Sequence, residues 1–144
     1  MKIVIVDTSA LIRLYVPDGP IPDGLEEYLA AAWRAEITLM IPELALAEFV
    51  QVLWKKEQAG YLELSEVDEI VAALLELPLE ITGHQGILTD ALSLARQYKL
   101  TVYDSLFLSL AMKRKAELIT ADQRLKNAFE DNRGSWWTAL RDVP

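Results

Sequence analysis

A chain of 144 residues with 14 basic and 22 acidic side chains carries a formal net charge of −8. That balance argues against a broad nucleic-acid-binding face, so a polyanionic partner has to be met locally. Cysteine is absent, which excludes disulfides, thiolate zinc sites, iron–sulfur clusters and a cysteine nucleophile.

The 52% hydrophobic and 25% charged residues are those of a globular protein able to bury a sizeable core. No apolar run reaches the roughly 18 to 20 residues that span a bilayer, and the first one lacks a signal-peptide pattern. One soluble, cytoplasmic domain over residues 1–144 is expected, without membrane association.

Along the chain, residues 2–6 form an apolar strand run ending at Asp7. Leu25, Tyr28, Leu29, Ala32 and Trp33 follow the spacing of a helix with one buried face. A second strand run at 37–41 leads into the longest helix, expected from Pro42 to about Ala59 just before Gly60, by the preference for proline at helix starts and glycine after their ends. Ser65, with Asp68 and Glu69 close behind, reads as the cap of a helix whose core stripe is Val67, Ile70, Val71, Leu74 and Leu75. After a third strand run at 79–81, His84 lies in a Gly83-His84-Gln85-Gly86 turn and is expected to be a solvated loop residue.

Helices over 86–99 and 104–115 are separated by a fourth strand run at 100–103, and a fifth run covers 117–120. Trp136 and Trp137 are expected to pack the last segment onto the body, since tryptophan carries a large apolar area. Strands alternating with helices predict an α/β fold whose central parallel sheet of four or five strands is covered on both faces.

Asp7, Asp104 and Asp122 each follow one of these strand runs and lead an apolar helical stripe. Each could be a helix cap contributing about 1 kcal/mol. On parallel strands, however, all three would share the carboxyl edge, where open α/β sheets form ligand crevices. Glu48 adds a fourth acid on an apolar flank of the long helix, with Leu44, Ala45, Gln51 and Val52 as its neighbours and no basic residue among them. Carboxylates crowded without cations repel one another, so such a cluster makes physical sense mainly as a divalent-cation site.

The segments Val4-Ile5-Val6-Asp7-Thr8-Ser9, Ile41-Pro42-Glu43-Leu44-Ala45-Leu46-Ala47-Glu48, Tyr103-Asp104-Ser105-Leu106-Phe107-Leu108-Ser109-Leu110-Ala111 and Leu118-Ile119-Thr120-Ala121-Asp122 together resemble the PIN-domain nucleases. In length and lack of appended domains the chain looks most like the VapC-type ribonuclease toxins of toxin–antitoxin pairs. The resemblance implies a three-layer α/β/α sandwich and an acidic site of Asp7, Glu48, Asp104 and Asp122 holding one or two Mg²⁺ or Mn²⁺ ions. Ser9 and Thr120 match hydroxyl positions that orient the acids or a metal-bound water. Glu43 lies about 140° round the helix axis from Glu48 and is not expected to share the site.

The implied activity is hydrolysis of RNA phosphodiester bonds, and the implied partners are RNA, a cognate antitoxin and a second copy in a homodimer. Arg13, Lys55 and Arg124 are the expected phosphate contacts, each within two helical turns of a predicted ligand. Lys113-Arg114-Lys115 sits at the far end of the Asp104 helix, where cations suit the helix dipole. A receiver domain needs a paired acidic dipeptide near its first strand and a lysine after its last, and neither is present. Dehalogenase-type phosphatases need a second Asp two residues after the first, where Ser9 stands. A catalytically weak RNA-binding or scaffold module, and an RNA-processing nuclease without an antitoxin, remain alternatives.

Overall fold

The structure is a computed structural model describing residues 1–134; Trp136 and Trp137, with the packing expected of them, lie outside the described residues. β1 (Ile3–Val6) is an uninterrupted apolar run whose last three residues are buried, as a parallel strand covered on both faces requires. It pairs in parallel with β2 (Thr38–Pro42), Ile5 opposite Met40, and on its other side with β4 (Glu117–Ile119), Ile5 opposite Leu118. β3 (Leu79–Thr82) lies beyond β2, with Pro42 opposite Thr82. The order is β3-β2-β1-β4.

Helices α1 (Thr8–Ile12), α2 (Leu25–Trp33), α3 (Leu44–Gln58), α4 (Leu64–Glu76), α5 (Leu88–Tyr98), α6 (Val102–Arg114) and α7 (Gln123–Asn132) flank the sheet and complete a three-layer α/β/α sandwich. α6 is the central helix, in contact with β1, β2 and β4 and paired with α5. Its residues 105–111 are all buried, and among them Ser105 and Ser109 donate their hydroxyls to the carbonyls of Thr101 and Ile87. Those bonds let two polar side chains enter the core without an unsatisfied group.

Local chemistry overrides several sequence expectations. The strand expected at 100–103 does not form. Thr101 instead caps α6, its hydroxyl accepting the Asp104 amide at 3.0 Å, and the helix begins at Val102. Pro42 closes β2 rather than opening α3. α4 is started not by Ser65 but by a reciprocal capping box between Glu63 and Glu66. Trp33 and Leu75, expected in core stripes, are 59% and 69% exposed, so the buried faces of α2 and α4 are narrower than the spacing suggested. His84 is partly buried, and its Nδ1 is closed off from solvent without a hydrogen-bond partner among the described residues.

Strand order fixes where a cleft can form. The chain moves outward from β1 through β2 to β3, then returns to the far side of β1 for β4. Connections leaving β1 and β4 therefore diverge, and the gap beyond their carboxyl ends is the topological switch point of the sheet.

Candidate active site

Asp7 stands at that switch point, directly after β1, and is 4% exposed. Its amide donates to the Ile119 carbonyl of β4 at 3.1 Å, which carries the β1–β4 pairing one step past β1. One carboxylate oxygen accepts the Ala10 amide at 3.0 Å, so Asp7 caps α1. The Ser9 hydroxyl lies 2.8 and 3.0 Å from the two oxygens, and Thr120 donates its hydroxyl to Oδ2 at 2.7 Å. These hydroxyls are themselves aimed by backbone: Ser9 Oγ accepts the Ala121 amide and Thr120 Oγ1 the Asp122 amide, each at 3.0 Å. The result is a polar clip joining β1 to β4 that leaves Asp7 a single orientation.

Burial nonetheless dominates the electrostatics of Asp7. Desolvation lifts its carboxyl to about 6, against the pull of Thr120, Ser9 and Ala10, and the charge of Asp104 adds to the rise. Glu48 projects from α3, and its carboxyl accepts the Thr8 hydroxyl at 3.3 Å. Its pKa is raised by burial first, then by repulsion from Asp104 and Asp7, with the Thr8 bond opposing. Asp104, in the first turn of α6, is raised by burial and by Asp122, while Thr101 and Arg124 oppose.

Asp122 caps α7 through one oxygen, Oδ1, which accepts the Arg124 and Leu125 amides at 2.9 and 3.4 Å. Its second oxygen has no hydrogen-bond partner among the described residues.

Asp7, Glu48 and Asp104 thus lie within one another's fields, and Asp122 acts on Asp104. Among the described residues none of them is held in an ion pair; the three ion pairs there join Lys2 to Glu117, Arg34 to Glu36 and Lys56 to Asp18. The capping reading is correct for Asp7 and Asp122 but does not exclude the other one, and Asp104 is not a cap at all. Ser9 and Thr120 both hydrogen-bond to the Asp7 carboxylate.

Thr8 and Thr101, which the sequence reading passed over, hold Glu48 and the start of α6. For Thr101 the signal was a threonine three residues before an acid, the local pattern of a capping side chain; Thr8 reaches Glu48 across 40 residues, and no local pattern marks it.

A groove of ≈ 740 Å³ opens beside the acids, lined among others by Thr8, Glu48, Arg13 and Lys55. Arg13 donates to the Pro20 carbonyl at 3.0 Å. Arg124 does not line the groove; its guanidinium donates to the Lys99 carbonyl, although its field reaches Asp104.

The donor set is all oxygen, which suits Mg²⁺ or Mn²⁺ rather than a soft metal. Among the described residues no three acids approach closely enough to form a ready-made cage. That fits Mg²⁺, which is usually held by one or two carboxylates with waters and substrate phosphates supplying the rest.

The family model of the PIN domain matches residues 4–130, from β1 into α7 and across all four acids. The chain belongs to the PIN-domain family. Among PIN-domain relatives, ribonuclease VapC3 of Pyrobaculum aerophilum is 34% identical over 131 residues, spanning 90% of this chain and 95% of the relative. Ribonuclease VapC3 of Mycobacterium tuberculosis is 28% identical over 126 residues, 88% of this chain and 87% of the relative.

Two solved structures share the PIN fold. PAE2754 from Pyrobaculum aerophilum superposes with a TM-score of 0.69 at 21% identity, covering 95% of this chain and 90% of the other. Mycobacterium tuberculosis VapC20, a sarcin–ricin loop cleaving toxin, superposes with a TM-score of 0.59 at 14% identity, covering 87% and 94%.

Proposed function

We propose that this chain is a divalent-metal-dependent endoribonuclease and the toxin of a toxin–antitoxin pair, acting in the cytoplasm as a homodimer. The observation that carries the reading is the gathering of four carboxylates at the β1/β4 switch point, Asp104 being repelled by Asp122 and repelling both Asp7 and Glu48, with no ion-pair partner among the described residues. Its support from relatives is the ribonuclease VapC3 at 34% identity. The antitoxin would cover the acids and present a basic side chain, since charge-assisted bonds to carboxylates compete with a cation for the same oxygens.

In this mechanism Mg²⁺ or Mn²⁺, when bound, supplies an activated water and charge stabilisation at the phosphodiester. Asp7 is the fixed ligand, its orientation set by Ser9, Thr120 and the Ala10 amide. Asp104, Glu48 and the free oxygen of Asp122 complete the set. Arg13 and Lys55 meet backbone phosphates from the groove, and Arg124 offsets the negative field at Asp104.

The test is cleavage of RNA by purified protein with Mg²⁺ or Mn²⁺, with chelator, and with Asp104→Asn. Asp104 is the cleanest acid to alter, because Thr101 rather than Asp104 caps its helix. Metal-dependent cutting by the wild type is expected, with at least a hundredfold loss in the variant, the order of effect of removing one transition-state-stabilising group. Cutting that survives both chelator and Asp104→Asn would overturn the assignment. Binding without cutting in either metal would identify an RNA-binding module instead.

A further inference from the structure

Tyr103 is 57% exposed although it stands two residues before the buried stretch 105–111 of α6. It stands one residue before Asp104 and lines the groove beside the acids together with Leu44, Ala47, Glu48, Arg13 and Lys55. Among the described residues its hydroxyl makes no hydrogen bond, so the ring serves neither the core nor a polar network. The groove's volume of ≈ 740 Å³ lies inside the roughly 300–1,000 Å³ range of sites that enclose a small ligand. Its lining offers an aromatic face and aliphatic side chains for something flat and apolar, and two cations for something anionic.

We propose that Tyr103 is a stacking platform for one nucleobase of a single-stranded RNA, next to the phosphodiester held at the acids, with a flanking phosphate met by Arg13 or Lys55. This rests on the ribonuclease reading and adds the form of the substrate. A base in a duplex is already stacked and paired, whereas an unpaired one can be splayed onto an aromatic ring. Any base has a π-face, so the platform selects strandedness rather than sequence. The charge arrangement favours RNA as the occupant, because the cations of the groove can meet phosphates while its aromatic face takes the base.

Fluorescence anisotropy in chelator, where metal-dependent cutting is silent, measures the binding of a labelled single-stranded oligoribonucleotide and of the same strand carrying one abasic residue at each position in turn. Tyr103→Ala is expected to weaken binding of the intact strand roughly tenfold to a hundredfold, the contribution of one stacked base, and Tyr103→Phe to stay within about twofold of wild type. At one abasic position wild type and Tyr103→Ala should bind alike. Wild-type affinity in Tyr103→Ala, or a loss that no abasic position cancels, would overturn the proposal. The first of these, joined to weakened binding of a protein partner, would reassign the ring to that partner. If the wild type neither binds nor cuts RNA, the ribonuclease reading and this inference fall together; if it cuts RNA and Tyr103→Ala binds normally, only the platform fails.

Discussion

Asp7 holds a helix end in place and carries a charge the fold disfavours. Its pKa of about 6 in the fold, against an ordinary 3.8, means that the folded chain takes up a proton more readily than the unfolded one. The stabilising effect of that proton is therefore complete below pH 4 and lost as pH rises through about 6. At roughly 1.4 kcal/mol per pH unit, the interval amounts to ~3 kcal/mol for a group only 4% exposed. Metal-free protein should melt at a lower temperature at pH 7.5 than at pH 4.5, and Asp7→Asn should flatten that slope. A metal-free melting temperature that rises across the interval would contradict the raised value.

Thr120→Ala removes the strongest hydrogen bond opposing the rise. The pH at which Mg²⁺ ceases to stabilise the protein should then move upward, as a Mg²⁺ titration followed by melting temperature would show. The four candidate acids could be named from the sequence. The caps were not all legible, because a cap is identified by which amide it faces, and that depends on where the helix begins.

At α6 the local sequence fits two structures. Leu100-Thr101-Val102-Tyr103 is short, apolar and β-branched, and a window of that length cannot separate a strand from the start of a buried helix. The hydroxyl of Thr101 decides it by satisfying the Asp104 amide, so Asp104 reaches the site from a helix turn rather than a strand end. The same helix is the central element of the core, in contact with β1, β2 and β4. Leu108, with 0% exposure, lies in its buried stretch, and Leu108→Ala should cost about 2–5 kcal/mol in chemical denaturation.

At the other end, Lys115 terminates α6 in the left-handed region with φ 51°, a conformation in which a Cβ is penalised. Lys115→Gly should raise stability by up to about 1 kcal/mol. Unchanged or lower stability would mean that the lysine side chain offsets the strain. The apolar stripes of α2 and α4 are broader than their buried faces, since periodicity marks a face without saying how far a neighbouring element reaches over it.

For the molecule as a whole the governing quantity is its net charge of −8. Such a body cannot hold RNA by a diffuse field, so few phosphate contacts should carry the interaction. Their salt dependence should be shallow, about −0.7 in log–log slope for each neutralised phosphate of a single strand.

Arg13→Ala should reduce that slope by about one contact, while Lys113→Ala, at the far end of α6, should leave it unchanged. A flattened slope in Lys113→Ala alone would put the RNA on the opposite side of the molecule. The sheet, its helical cover and the carboxyl-edge cleft were readable because alternating strand and helix patterns constrain topology strongly. The order β3-β2-β1-β4 was not, for nothing in the local sequence of β4 says which neighbour it will choose.

The clip between Asp7, Ser9 and Thr120 joins positions 111 and 113 residues apart, which gives the site a place in time as well as in space. A nascent chain that has produced β1, β2 and β3 already contains Asp7 and Glu48, yet it lacks Asp104, Thr120 and Asp122. Long-range contacts of this kind form late. The acidic cleft therefore comes into being only once β4 has been synthesised, and a ribosome making this protein carries an incomplete site until β4 is laid beside β1.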